Sequence, residues 1–373
     1  MKPEDLAPAH VRAIMPYVPG KPISETAREL GIPEADILKM ASNESPIGPS
    51  PKAVAALRGV LDGLHYYPDG NGFELKAALA GKLGIAPGNL VLGNGSNDVL
   101  ELVARAFLTP ADSAVHSQHA FMVYPLAIQA IGAKAIVVPA RDYGNDLPAM
   151  ASAVRADTKI VFLANPNNPT GTFSPWEEVR AFVERIPARV LVVVDEAYGE
   201  YLPDGLKSPT PGWIARHPNL VVARTLSKAY GLAGLRVGFA VADPGVAEVM
   251  NRVRQPFNVN TLALVAACAA LGDEEFIARS RAVNAAGLEQ LARGFARLGL
   301  EYIASRGNFI TVRVGDGERV YRDLLARGVI VRPIAGYGLP EHLRVTVGLP
   351  EHNERFLAEL ERSLAMGRGS CAA

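Results

Sequence analysis

Val190-Leu191-Val192-Val193-Val194 is an unbroken apolar run, and the residue that ends it is Asp195. So short a run, so rich in β-branched side chains, reads as a strand buried on both faces. The same form recurs in Asn89-Leu90-Val91-Leu92, in Lys159-Ile160-Val161-Phe162-Leu163-Ala164 and in Asn219-Leu220-Val221-Val222-Ala223-Arg224. Lys134–Pro139 and Gly238–Ala242 complete the set. Helical stretches lie between them, at Asp98–Leu108, Asp146–Arg155 and Pro175–Ile186. The last opens with Ser174-Pro175-Trp176-Glu177, which has the serine, first-turn proline and glutamate of a capping box. Alternation of this kind predicts an α/β fold, a mostly parallel central sheet covered by helices on both faces.

The flanks differ. Residues 1–44 carry turn signals such as Pro16-Tyr17-Val18-Pro19-Gly20-Lys21-Pro22, and prolines at that density predict an extended arm packing on something else. Ser50-Pro51 opens a helix with a serine N-cap, and a second helix runs near Gly72–Leu83 and stops at Gly84. Beyond residue 261 the texture changes. A long amphipathic helix, Asp273–Leu298, leads to strand Phe309–Arg313, helix Glu318–Arg327, strands Val329–Arg332 and Leu343–Val347, and helix Pro350–Leu364. The expected organisation is an arm (1–44), a large domain (45–261) and a smaller α+β domain (262–373) on which the arm docks. The residues from Met366 to Ala373 read as a frayed tail.

Composition excludes several functions. The 373 residues hold 38 basic and 38 acidic side chains and no basic run, which argues against nucleic acid or an anionic membrane as partner. Cys268 and Cys371 have no metal or redox spacing, so a reducing, cytoplasmic setting is expected. The N-terminus lacks an apolar signal core, and no stretch approaches the roughly 18 apolar residues of a membrane span. His116 and His119 have no further ligands near them, so no metal is expected.

Chemistry gathers where the strands end, the edge at which open α/β sheets bind ligands. After Asn219–Arg224 come Thr225, Ser227 and Lys228, then a glycine-rich turn and Arg236. A lysine there could condense with the aldehyde of a cofactor. Asp195, with Tyr198 three residues on, could hold a proton on a heterocyclic nitrogen; a helix N-cap is the plainer use of such an aspartate. Asn165-Pro166-Asn167-Asn168-Pro169-Thr170-Gly171 shapes a rigid loop that presents an amide. Gly93-Asn94-Gly95-Ser96-Asn97-Asp98, between strand and helix, suits a phosphate, but it lacks the third glycine of a dinucleotide fingerprint. His119-Ala120-Phe121-Met122-Val123-Tyr124 could offer an aromatic ring for stacking.

The order and spacing of this set resemble fold type I pyridoxal-phosphate aminotransferases. More closely, Thr225-Leu226-Ser227-Lys228-Ala229-Tyr230-Gly231-Leu232-Ala233-Gly234-Leu235-Arg236 resembles the signature of histidinol-phosphate aminotransferases. The resemblance extends through Asn43-Glu44-Ser45-Pro46, Tyr66-Tyr67-Pro68-Asp69-Gly70, Val331-Arg332-Pro333 and Leu343-Arg344-Val345-Thr346, over about residues 15 to 360. It implies pyridoxal 5'-phosphate on Lys228, with Asp195 at the ring nitrogen and Asn168 and Tyr198 at the phenolic oxygen. Phe121 would stack on the ring. Gly95, Ser96, Asn97, Thr225, Ser227 and Arg236 would hold the phosphate; Asn97 departs from the family's usual aspartate. Tyr67 would reach the neighbouring subunit's phosphate, which implies a homodimer with shared sites. Arg344 and Arg332 would bind the substrate's anionic group, with Asn43 and Tyr17 lining the same pocket. The family's substrate-facing Pro-Tyr pair is Pro256-Phe257 here, one hydroxyl fewer.

The implied reaction joins histidinol phosphate and 2-oxoglutarate to imidazole-acetol phosphate and glutamate, in histidine biosynthesis. An aromatic or broad-specificity aminotransferase and a pyridoxal-phosphate decarboxylase of an amino-acid phosphate would share these residues. A sensory aminotransferase-like domain would need a DNA-binding module for which the arm is too short. A nicotinamide dehydrogenase fails on the missing fingerprint.

Overall fold

The computed structural model describes residues 2–369. Its centre is a seven-stranded sheet in the order Leu90–Gly93, Gly238–Ala242, Leu220–Thr225, Leu191–Asp195, Thr158–Ala164, Ser113–Ser117 and Lys134–Val138. Only Gly238–Ala242 runs against its neighbours; the other pairings are parallel. Six strands therefore deliver their carboxyl ends to one edge of the sheet. Alternation along each strand divides the side chains between two cores. Val192 and Val194 pack on one face, Leu191 and Val193 on the other. Burial on both faces is why these strands are continuous apolar runs.

A four-stranded sheet, Arg332–Pro333, His342–Thr346, Phe309–Arg313 and Tyr302–Ile303, forms the second unit. Its core takes side chains from helices Glu274–Arg297, Gly317–Ala326 and Pro350–Gly369.

Several sequence expectations need correction. The arm is not simply extended: Ile23–Leu30 is a helix, entered from Pro22 and closed by Gly31 at φ 68°. Proline is costly inside a helix but harmless at its start, so the cluster marks an entrance. The arm does dock on the smaller unit, with Leu38–Lys39 pairing in parallel with Val329–Ile330. Its first helix, Ala9–Arg12, instead meets helix Val123–Ile131 of the larger unit, where Gln129 Nε2 donates to the His10 carbonyl. Expected strand Val329–Arg332 divides, its second half pairing with His342–Thr346. The capping box does not form, because Ser174 is hydrogen-bonded to the Asn165 amide and Pro175 takes the cap position. Residues 262–271, assigned from the sequence to the smaller unit, belong to helix Thr261–Leu271, which packs against helices Pro51–Arg58 and Phe73–Leu83 in the core of the large sheet. The last helix runs on to Gly369, past the expected fraying point, and 370–373 lie outside the described residues.

One buried ion pair ties two strands together just behind their functional ends. Arg224 donates from Nε and Nη2 to Glu196 Oε2, at 3.0 and 2.7 Å, while Ser208 and Thr210 donate to Oε1. The glutamate side chain is fully buried and the arginine's nearly so. Removing one partner strands the other charge in a dry interior, at about 3–5 kcal/mol. Glu196→Ala is expected to cost that much in denaturant unfolding, and the double replacement Glu196→Gln with Arg224→Met distinctly less.

Candidate active site

The strand ends surround a cleft of about 240 Å³, closed on its far side by the arm and the small sheet. Lys228 enters from the loop after Leu220–Thr225, and its Nζ donates to the Ser42 carbonyl of the arm at 3.2 Å. Burial, with Arg344 close by, lowers the Lys228 pKa to about 8. Asp195 ends the neighbouring strand and is 4% exposed. The same loss of water acts on it in the opposite sense and raises its pKa to about 6, despite hydrogen bonds that favour the charged form. Those bonds come from the Tyr124 hydroxyl to Oδ2, at 2.8 Å, and from the Ala197 amide to Oδ1, at 3.1 Å.

One end of the cleft is built for an anion. Helix Ser96–Phe107 starts there, its N-cap Gly95 held at φ 82° with no side-chain cap, so the amides of its first turn are free to bind a ligand. A Cβ on Gly95 would lie 2.3 Å from Arg236 Nη2, so only glycine lets that guanidinium approach. Thr225 Oγ1 donates to Ser227 Oγ at 2.9 Å and accepts from the Ser227 amide at 3.1 Å, which lines up both hydroxyls beside Arg236.

At the other end, Arg344 and Arg332 face each other directly across antiparallel strands, so both project from one face of the small sheet. Arg344 donates to Asn168 Oδ1 at 2.6 Å and to the Ala41 carbonyl at 2.7 Å. Asn168 is thereby oriented with its carbonyl spent and its NH₂ still to be used. Arg332 donates to the Val18 carbonyl at 2.7 Å and lies 5.3 Å from the Tyr17 ring. Asn43, in left-handed backbone at φ 55°, donates to the Tyr198 hydroxyl at 2.8 Å. Burial pushes that phenol up to about 12, so it stays a donor at neutral pH.

The aminotransferase class I and II model matches residues 35–360. Histidinol-phosphate aminotransferase 1 of Thiobacillus denitrificans is 59% identical, covering 97% of this chain and 94% of its own. Histidinol-phosphate aminotransferase 2 of Nitrosospira multiformis is 57% identical, covering 99% and 94%. This chain belongs to the histidinol-phosphate aminotransferase family. The crystal structure of the Sinorhizobium meliloti histidinol-phosphate aminotransferase, in complex with pyridoxal-5'-phosphate, superposes with a TM-score of 0.89. Its sequence identity is 28%, over 97% of this chain and 98% of that one.

Within this aminotransferase cleft stand Tyr17, Asn43, Ser96, Asn97, Phe121, Asn168, Asp195, Tyr198, Thr225, Ser227, Lys228, Arg236, Arg332 and Arg344, all singled out from sequence. Gly95 shapes the anion end from behind. Tyr67 does not reach this cleft: it is 83% exposed and stacks on Phe257 at 4.8 Å. Phe257, expected to face substrate, is likewise outside the chain's own cleft. His116 and His119 bind backbone carbonyls through Nδ1, and no metal-holding cluster of His, Cys, Asp or Glu occurs among the described residues. Sequence reasoning gave Tyr124 no role beyond a ring, because its partner Asp195 is 71 positions away.

A lysine of pKa about 8 is roughly half neutral at pH 8, whereas an ordinary lysine is almost wholly charged there. Trapping of Lys228 by a small aldehyde and borohydride, followed by peptide mapping, is expected to rise steeply between pH 7 and 9 and then level off. Exposed lysines should keep gaining up to pH 10 and above.

Proposed function

We propose that the chain is a pyridoxal-phosphate-dependent histidinol-phosphate aminotransferase, exchanging an amino group between glutamate and imidazole-acetol phosphate. The products are 2-oxoglutarate and histidinol phosphate. The observation that carries this reading is the cleft's two separate anion sites. Gly95 to Asn97 with Arg236 suit the cofactor's phosphate, and the facing Arg332 and Arg344 suit the substrate's anion. Guanidinium forks accept carboxylate and phosphate alike, which lets one pocket serve both amino donors.

The residues fit pyridoxal phosphate on chemical grounds. The Asp195 carboxyl is buried at a cost that a protonated ring nitrogen would offset. The Asn168 NH₂ and the Tyr198 hydroxyl are donors suited to its phenolic oxygen, and Phe121 to its ring face. Arg344 Nε and Arg332 Nε are buried without an acceptor, as expected of groups reserved for a ligand. When bound, the cofactor supplies a ring that withdraws the electron pair left by the substrate's broken α C–H bond. Lys228 Nζ, with its lowered proton affinity, is the group to hold the cofactor and to move the α proton. Asp195 keeps the proton on the ring nitrogen, and the arm excludes water above Lys228.

The enzyme is read as a cytoplasmic homodimer. Tyr66, Tyr67 and Phe257 form an exposed aromatic patch suited to a subunit interface, from which Tyr67 would enter the partner's cleft.

Histidinol phosphate with 2-oxoglutarate is expected to exceed phenylalanine, tyrosine and threonine phosphate in kcat/KM, and release of carbon dioxide instead would identify a decarboxylase. Arg344→Lys keeps charge but loses the fork, so both glutamate and histidinol phosphate should fall roughly tenfold or more, the worth of one charged hydrogen bond. Arg332→Lys should hurt histidinol phosphate more than glutamate. A wild type that prefers phenylalanine, with Arg332→Lys nearly silent, would make this an aromatic aminotransferase. Mixing Tyr67→Ala with Lys228→Ala, each impaired alone, should restore activity once subunits exchange, because one site of the mixed dimer is intact.

A further inference from the structure

Tyr124 stands in the first turn of helix Val123–Ile131, 1% exposed, with its hydroxyl 2.8 Å from Asp195 Oδ2. Its ring cannot swing. It lies nearly parallel to Phe162, with centroids 4.9 Å apart and planes 8° apart. Phe162 is in the strand paired with Leu191–Asp195, so the stack shares the sheet that carries the carboxylate. Phe121 stands edge-on to it at 6.0 Å and 89°. One buried tyrosine thus touches both residues assigned to the cofactor ring, one at the nitrogen and one at the face.

We propose that Tyr124 is a positioning residue for the transamination reaction, whose hydroxyl holds Asp195 in place and in its charged form so that the shared proton stays on the cofactor's ring nitrogen. The inference rests on the assignment of Asp195 to that nitrogen. Physically, a donor to a carboxylate oxygen favours the anion and lowers its affinity for a proton. Two donors, Tyr124 and the Ala197 amide, occupy one lone pair on each oxygen and leave the others for a cationic partner. Without the tyrosine, Asp195 would be more basic and would draw the proton away from the ring, weakening it as an electron sink. Lys228 faces the carboxylate from the neighbouring loop, and Glu196 and Tyr198 from its own segment. Of these, only Tyr124 donates a side-chain hydrogen bond to it.

The test uses the full chain loaded with pyridoxal phosphate labelled with ¹⁵N in the ring. Tyr124→Phe keeps the stack on Phe162 and removes only the hydroxyl. Its nitrogen signal is expected to move from the protonated position of the parent toward that of Asp195→Asn. Its kcat should fall roughly tenfold or more, the worth of one charged hydrogen bond, with KM for histidinol phosphate within about twofold. A fluorinated tyrosine at position 124, a stronger donor of the same shape, should restore the protonated signal. A parent-like nitrogen signal in Tyr124→Phe would overturn the proposal whatever happens to kcat, since a merely structural role could slow the enzyme without moving the proton. A parent-like signal in Asp195→Asn would instead overturn the assignment of Asp195 itself, and this inference with it.

Discussion

The removal of water from the strand ends is the constraint on which the rest of the site depends. Asp195 and Lys228 leave adjacent strands that are buried on both faces; Asp195 is buried and Lys228 half-buried, so neither is hydrated as it would be on an open surface. The carboxyl rises to about 6 and the amine falls to about 8. A single cause thus brings an acid and a base, ordinarily more than six units apart, to within about two of each other. That is the condition under which one can hold a proton and the other move one near neutral pH.

Keeping such groups dry requires a roof, and the roof is assembled from distant parts of the chain. Arg344 is the tie. It sits in the small sheet, donates to Asn168 on the large sheet's edge and to Ala41 in the arm, and faces Arg332. Asn43 adds a second tie, bonded to Tyr198 on one side and to Thr346 on the other. These bonds draw the small sheet, the arm and the large sheet around one volume. They also explain why asparagine and arginine, rather than apolar side chains, are buried at this junction. Each has polar atoms on more than one side and so can bond to more than one of these parts at once.

Much of this was legible from the chain because its signals are local. Apolar runs ending in Asp195, in Thr225 and in Asn165 announce both the sheet and its functional edge, since strand burial and strand direction follow from adjacent residues. Strand Ser113–Ser117 gives no such signal, because two serines and a histidine, all buried, interrupt its apolar residues. Helix Val123–Ile131 is hidden in the sequence because β-branched residues and Pro125 give weak helix propensity, which packing on helix Ser96–Phe107 overrides. The arm departs from its expected extended form for a related reason, its prolines marking the start of a helix whose Ala27 packs on Ile37, Ala41 and Ile330.

By itself, then, the sequence determined the layered α/β plan, the strand ends that face the cleft, and the lysine, aspartate and hydroxyl residues that lie within a few positions of those ends. Tertiary structure alone decided which of them meet. It set Tyr124 against Asp195, Asn43 against Tyr198, Arg344 against Asn168, and it turned Tyr67 and Phe257 away from their own cleft. The physical reason is range. Backbone hydrogen bonding and side-chain alternation act between near neighbours, whereas a buried polar atom must find its partner wherever the folded chain brings one, at any separation along the sequence.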